Sequence, residues 1–130
     1  MKNPMVYFEI YANDPKALAG FYTELFDWKV EASPGMEGYL TVKTVDVDAK
    51  GKPDVAGING GIMKSPGPGA PSVINYVGVD SVDGALEKAQ RLGAKVMKAK
   101  SAVPQMGYFA ILTDPQGNPF ALWQMDKAAK

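Results

Sequence analysis

Two stretches of the chain, Val6–Val30 and Asn75–Val96, carry the same order of local signals, and that duplication limits the available folds more than any other feature. In the first, Val6, Phe8, Ile10 and Ala12 alternate with Tyr7, Glu9 and Tyr11, the period of a half-buried strand. Asn13-Asp14-Pro15 follows, a capping side chain and then a proline in the first helical turn, where its missing N–H costs nothing. Ala17, Leu18, Phe21, Tyr22, Leu25 and Phe26 then make one apolar helical stripe, and a second strand opens at Trp28. The later stretch repeats strand, Asp/Ser cap, helix, glycine stop and strand. Phe26–Val30 aligns with Leu92–Val96 at an offset of 66, and Asp14 aligns with Ser81 at 67, so the second helix is one residue shorter. A period near half the chain means a duplicated module rather than a solenoid.

Each module extends into further strands. Tyr39–Asp48 is rich in β-branched residues, and Val55–Met63 is expected as the fourth strand, although Gly57, Gly60 and Gly61 weaken it unless something approaches closely. Residues 64–72 hold three Pro and two Gly in nine positions and are the expected linker. In the second module Val73–Val79, Ala94–Lys100, Tyr108–Thr113 and Pro119–Met125 read as strands and Val82–Leu92 as a helix, with Gly93 at the left-handed stop. Asp114-Pro115-Gln116-Gly117 is a type I turn signal. The expected class is α+β: two βαβββ modules in a single domain, residues 5–63 and 73–126.

Composition excludes several functions. A chain of 130 residues supports a single core, and its 46% hydrophobic content is that of an ordinary globular protein. Basic and acidic residues balance at 14 each, and Arg91 is the sole arginine, so nucleic-acid binding has little electrostatic support. There is no cysteine and no histidine, which removes thiolate chemistry, the commonest general base and the commonest transition-metal ligand. The N-terminus enters a strand directly, with no leader-like segment, and a cytoplasmic location is the expectation.

The segments NDPKALAGFYTELFDWKV, VDSVDGALEKAQRLGAKV and MGYFAILTDPQGNPFALWQ resemble the corresponding parts of the vicinal oxygen chelate superfamily, which contains glyoxalases, extradiol dioxygenases and bleomycin-resistance proteins. The resemblance implies two βαβββ modules forming curved mixed sheets around a concave cavity, and commonly a dimer. Enzymes of that group hold a divalent metal with His, Glu or Gln at fixed strand positions. Those positions correspond here to Tyr7, Ile74 and Ala121, none of which suits such an ion. No metal and no cofactor are expected.

If Phe8 and Ile10 face the helices, alternation puts Tyr7, Glu9 and Tyr11 on the opposite side, and the same parity gives Ile74, Tyr76 and Gly78, then Ala121 and Trp123. Tyr108 is the last candidate, its parity less well fixed. The candidate ligand-binding set is Tyr7, Glu9, Tyr11, Tyr76, Tyr108 and Trp123. Core or dimer packing competes with ligand contact for the aromatics, and a bond to a tyrosine hydroxyl or a lysine competes with a ligand for Glu9. The expected function is metal-independent binding of a small neutral or cationic molecule with an apolar body, by a homodimer acting on neither nucleic acid nor membrane. The alternative is a lyase, isomerase or dioxygenase with an atypical site, using Glu9 as base. A duller third is a non-catalytic module that works through its dimer surface.

Overall fold

The computed structural model describes residues 2–130. They divide into two units, Tyr7–Val73 and a second made of residues 2–6 with Ile74–Lys130.

In the first unit, β1 (Met5–Ala12, whose first two residues belong to the other unit) leads into α1 (Pro15–Phe26), β2 (Lys29–Ala32), β3 (Tyr39–Lys43) and β4 (Gly60–Lys64). The strand order is β2-β3-β4-β1, antiparallel except for the parallel β1–β4 pair. Helix α1 starts where the Asp14 carboxylate accepts the Ala17 N–H at 3.1 Å and Pro15 takes the first position. It ends at Asp27, whose φ of 61° is left-handed and whose N–H reaches the Thr23 carbonyl. The apolar stripe of α1 packs on one face of the sheet. Ala12, Ala19, Val42 and Ile62 are buried there, with Phe8, Ile10, Leu18, Tyr22 and Trp28 against them. Trp28 stacks on Tyr22, ring centroids 5.0 Å apart.

The second unit repeats this plan with β5 (Val73–Gly78, whose first residue belongs to the other unit), α2 (Val82–Arg91), β6 (Lys95–Val103), β7 (Gly107–Thr113) and β8 (Pro119–Met125). Its order, β5-β8-β7-β6, is the first unit's order read from the other end, and β5–β8 is again the parallel pair. The class is therefore α+β, with one helix and a four-stranded mixed sheet in each half. Ser81 caps α2 through the Gly84 N–H at 3.1 Å, and the Gln124 side chain accepts the Val82 N–H at 2.9 Å. Gly93, at φ 102°, turns the chain out of the helix, where a side chain would be strained. Val82, Ala110, Leu112 and Leu122 form this unit's buried core. Asp114 accepts the Gln116 and Asn118 N–H groups, and Gly117 donates to the Asp114 carbonyl, closing the expected turn.

Two strands are shorter than their composition predicts. β3 stops at Lys43 rather than Asp48, and β4 starts at Gly60 rather than Val55. The cause is Asn59. Its side-chain oxygen accepts the Thr44 and Val45 N–H groups at 2.7 and 3.0 Å, so a side-chain amide satisfies donors that a strand ladder would otherwise take. Asn59 is thereby committed to its own loop. Met5 and Val6 group with the second unit because the Gly78 N–H donates to the Pro4 carbonyl at 2.8 Å and Val6 lies against Gly78. No helix among the described residues is long and apolar enough to cross a membrane.

Candidate functional site

Strand alternation on β1 sends Phe8 and Ile10 toward α1 and leaves Tyr7, Glu9 and Tyr11 on the opposite face. There the first unit builds a polar cluster. The Glu9 carboxylate, only 7% exposed, accepts the Tyr11 hydroxyl at 3.0 Å and the Tyr39 hydroxyl at 2.8 Å, one on each oxygen. The Tyr7 and Tyr39 hydroxyl oxygens are 2.6 Å apart. A carboxylate this buried requires such donors, because desolvating it unpaired would cost several kcal/mol or more. The structural alternative for Glu9, a bond to tyrosine hydroxyls, is thus realised twice.

Tyr39 is the member absent from the sequence-derived set. It sits on β3 opposite Met63, two pairs along from the Thr41–Gly61 pair that adjoins Glu9. To reach Glu9 its ring lies diagonally across Gly61. A Cβ on Gly61 would stand 2.1 Å from the Tyr39 hydroxyl oxygen and 2.4 Å from Cζ, closer than any side chain permits. Gly60 does the same on the other face, where a Cβ would meet the Phe8 carbonyl oxygen at 2.3 Å and its ring at 2.7 Å. The paired glycines that weaken β4 as a strand are what let two aromatic rings lie against it. The signals in the chain were this glycine pair and the parity of β3, in which buried Val42 puts Tyr39 and Thr41 on the face of Glu9.

Burial pushes all three phenols above the ordinary tyrosine value. For Tyr11 and Tyr39 the negative charge of Glu9 is the second cause. For Tyr7 the hydrogen bond with Tyr39 works in the opposite direction, and burial outweighs it. These tyrosines stay neutral donors across the physiological range. They can hold and orient a carboxylate and pass hydrogen-bond polarity along a chain, but they do not supply phenolate.

In the second unit, Tyr76 pairs with Ala121 and Phe109 with Trp123, so these side chains share the face away from α2. Tyr76 is 6% exposed and its ring centroid lies 6.4 Å from that of Phe109. Trp123 leans toward Gly107, where a Cβ would stand 2.9 Å from its ring. Tyr108 is placed differently from the expectation. It packs against the Val82–Ala110–Leu112–Leu122 core on the α2 side, with the Lys100 ammonium 4.4 Å from its ring centroid. The reason is register: Ala110 and Leu112 face the helix, and Tyr108 shares their parity, so Phe109 occupies the position expected of Tyr108.

The metal positions implied by resemblance do not fit an ion. Ile74 and Ala121, 2% and 0% exposed, carry no donor atom. The Tyr7 phenol is held neutral and bonded to Tyr39, whereas a metal-bound oxygen would need its proton to leave easily. Among the described residues, no three His, Cys, Asp or Glu side chains come together.

Comparison with known proteins accords with the architecture. Residues 5–123 match the model of the glyoxalase-like domain family. A protein of Mycobacterium tuberculosis, provisionally named as the glyoxylase CFP32, is 31% identical over 124 residues, which is 92% of this chain and 44% of that protein. The anthracycline biosynthesis protein DnrV of Streptomyces peucetius is 30% identical over 128 residues, 91% of this chain and 46% of its own length. The chain thus spans a little under half the length of the curated relatives it matches. A glyoxalase/bleomycin resistance protein/dioxygenase superfamily member from Vibrio splendidus has the same fold, with a TM-score of 0.63, 14% identity, and coverage of 96% of this chain and 100% of that one. With the duplicated βαβββ plan, the matched residues and these relatives in agreement, the chain belongs to the glyoxalase-like domain family of the vicinal oxygen chelate superfamily.

Proposed function

We propose that the chain is a metal-independent small-molecule binding protein of the glyoxalase and bleomycin-resistance type. The observation that carries this reading is the Glu9 carboxylate, 7% exposed and held between two phenols on a sheet face that no helix of its own unit covers. Nothing in the packing of α1 requires a charge there, and of the positions that would carry a metal, Ile74 and Ala121 lack a donor atom and the Tyr7 phenol is bonded to Tyr39. Aromatic walls with a few polar tips suit a ligand with an apolar or aromatic body. The name of DnrV, which places it in anthracycline biosynthesis, supports a ligand of that general shape. The reading includes a cytoplasmic homodimer, whose combined length would approach that of the curated relatives.

The test is a thermal-shift screen against metabolites, followed by calorimetric titration of hits into wild type, Glu9→Gln and Trp123→Ala. Loss of a hydrogen bond to a charged group should weaken binding by about 1.5–3 kcal/mol in Glu9→Gln. Each variant tests the face of its own unit, and Trp123→Ala should weaken a ligand held on the second unit's face through lost contact area. Unchanged affinity in both variants would exclude these faces as the site.

A further inference from the structure

The hydrogen bonds of the Glu9 cluster fix more than its location. Each phenol carries one proton, and every proton in the cluster has a destination. Tyr11 donates to one Glu9 oxygen and Tyr39 to the other. The single Tyr39 proton being spent on Glu9, the 2.6 Å contact between Tyr39 and Tyr7 can form only if Tyr7 donates. The order is therefore Tyr7 to Tyr39 to Glu9 from one side and Tyr11 to Glu9 from the other. The sign is uniform: each of the three phenols directs its proton toward Glu9 or toward the next phenol on the way to it, and an oxygen lone pair is what Tyr11 offers outward.

From this polarity we infer that the cluster selects its ligand as a hydrogen-bond donor, taking the ammonium or amidinium end of an apolar or aromatic molecule and rejecting carboxylates and phosphates. Tyr11 is the point of contact, being half-buried where Glu9 is nearly enclosed. Its hydroxyl oxygen, polarised by donating to a carboxylate, accepts strongly. A ligand acceptor placed there would face a second acceptor with a negative charge behind it. Turning the Tyr11 hydroxyl outward to meet it would take away its 3.0 Å bond to the Glu9 carboxylate. Tyr39 sets the polarity on the other side, and Gly61 makes room for Tyr39. The inference rests on the binding reading above and names its ligand class.

Three aromatic probes of similar size separate the outcomes: 2-phenylethylamine, 3-phenylpropanoate and 3-phenylpropanol. Each is titrated into isotopically labelled protein and followed by backbone amide shifts. The amine should bind at least tenfold more tightly than the carboxylate, with shifts centred on residues 7–11, and the alcohol should fall between. Loss of a bond to a charge-polarised group corresponds to roughly tenfold to a hundredfold. Tyr11→Phe should reduce amine affinity by about that factor while leaving the spectrum of the fold intact. In Glu9→Gln the side-chain amide brings donors of its own, so the preference for amine over carboxylate should shrink to within a few-fold. If Glu9→Gln does not fold, the Tyr11→Phe comparison decides alone. Equal or better binding of the carboxylate at residues 7–11 would overturn the polarity and leave the binding reading standing. Amine binding unaffected by Tyr11→Phe would overturn the site. No response to any of the three probes would overturn both.

Discussion

Gly61→Ala should reveal how the cluster is held, because the added methyl has nowhere to go. Its carbon would stand 2.1 Å from the Tyr39 hydroxyl oxygen, 2.4 Å from Cζ and 2.6 Å from Cε1, so the whole ring end must move. Displacing it breaks the 2.8 Å bond to Glu9 and the 2.6 Å contact with Tyr7. A hydrogen bond to a charged group contributes about 1.5–3 kcal/mol and a neutral one about 0.5–1.5. Against this, replacing a strand glycine with alanine returns about 0.5–1 kcal/mol of chain entropy. The net cost is about 1–4 kcal/mol, read as a shift of the urea midpoint at unchanged slope. The decisive comparison is the same substitution in a Tyr39→Ala background. There the ring is gone, and Gly61→Ala should become neutral or stabilising by up to about 1 kcal/mol. If Gly61→Ala costs the same in both backgrounds, the glycine is not there to admit Tyr39, and the account of β4 fails.

The raised phenols give a pH signature. Tyr7, Tyr11 and Tyr39 keep their protons in the folded state where the unfolded chain, with tyrosines near the ordinary value of about 10, has begun to lose them. Their contribution to stability is full below about pH 10 and is lost as pH rises toward the folded values, and absorbance at 295 nm should show delayed ionisation that Glu9→Gln advances for Tyr11 and Tyr39. Protein purified without exposure to chelator should contain far less than one equivalent of zinc, nickel, manganese or iron by elemental analysis. One equivalent, lost in Glu9→Gln, would instead favour the lyase, isomerase or dioxygenase reading. Light scattering at micromolar concentration should give a mass of two chains, since exposed Phe21, Leu25 and Phe26 on α1 leave an apolar surface that a monomer has little reason to keep; a monomer throughout that range refutes the dimer.

The sequence by itself determined the duplicated βαβββ plan, both helices with their caps, the turn at Asp114 and the face of β1 that carries Tyr7, Glu9 and Tyr11. Each of these follows from a local rule: a period of two or of 3.6, a capping side chain, a proline or glycine at the one position that accepts it. The tertiary structure decided what local rules do not reach. The lengths of β3 and β4 depend on Asn59, whose side chain caps Thr44 and Val45 across a loop. The side of the sheet taken by Tyr108 depends on the β7–β8 register, which Ala110 and Leu112 fix by burying against α2. The composition of the Glu9 cluster depends on Tyr39, thirty residues away, leaning diagonally over a strand that has no side chain at Gly61. Alternation along one strand gives the face a residue occupies. Which ring on a neighbouring strand crosses to meet it is set by register and by the space a glycine leaves, and neither quantity exists until the strands are paired.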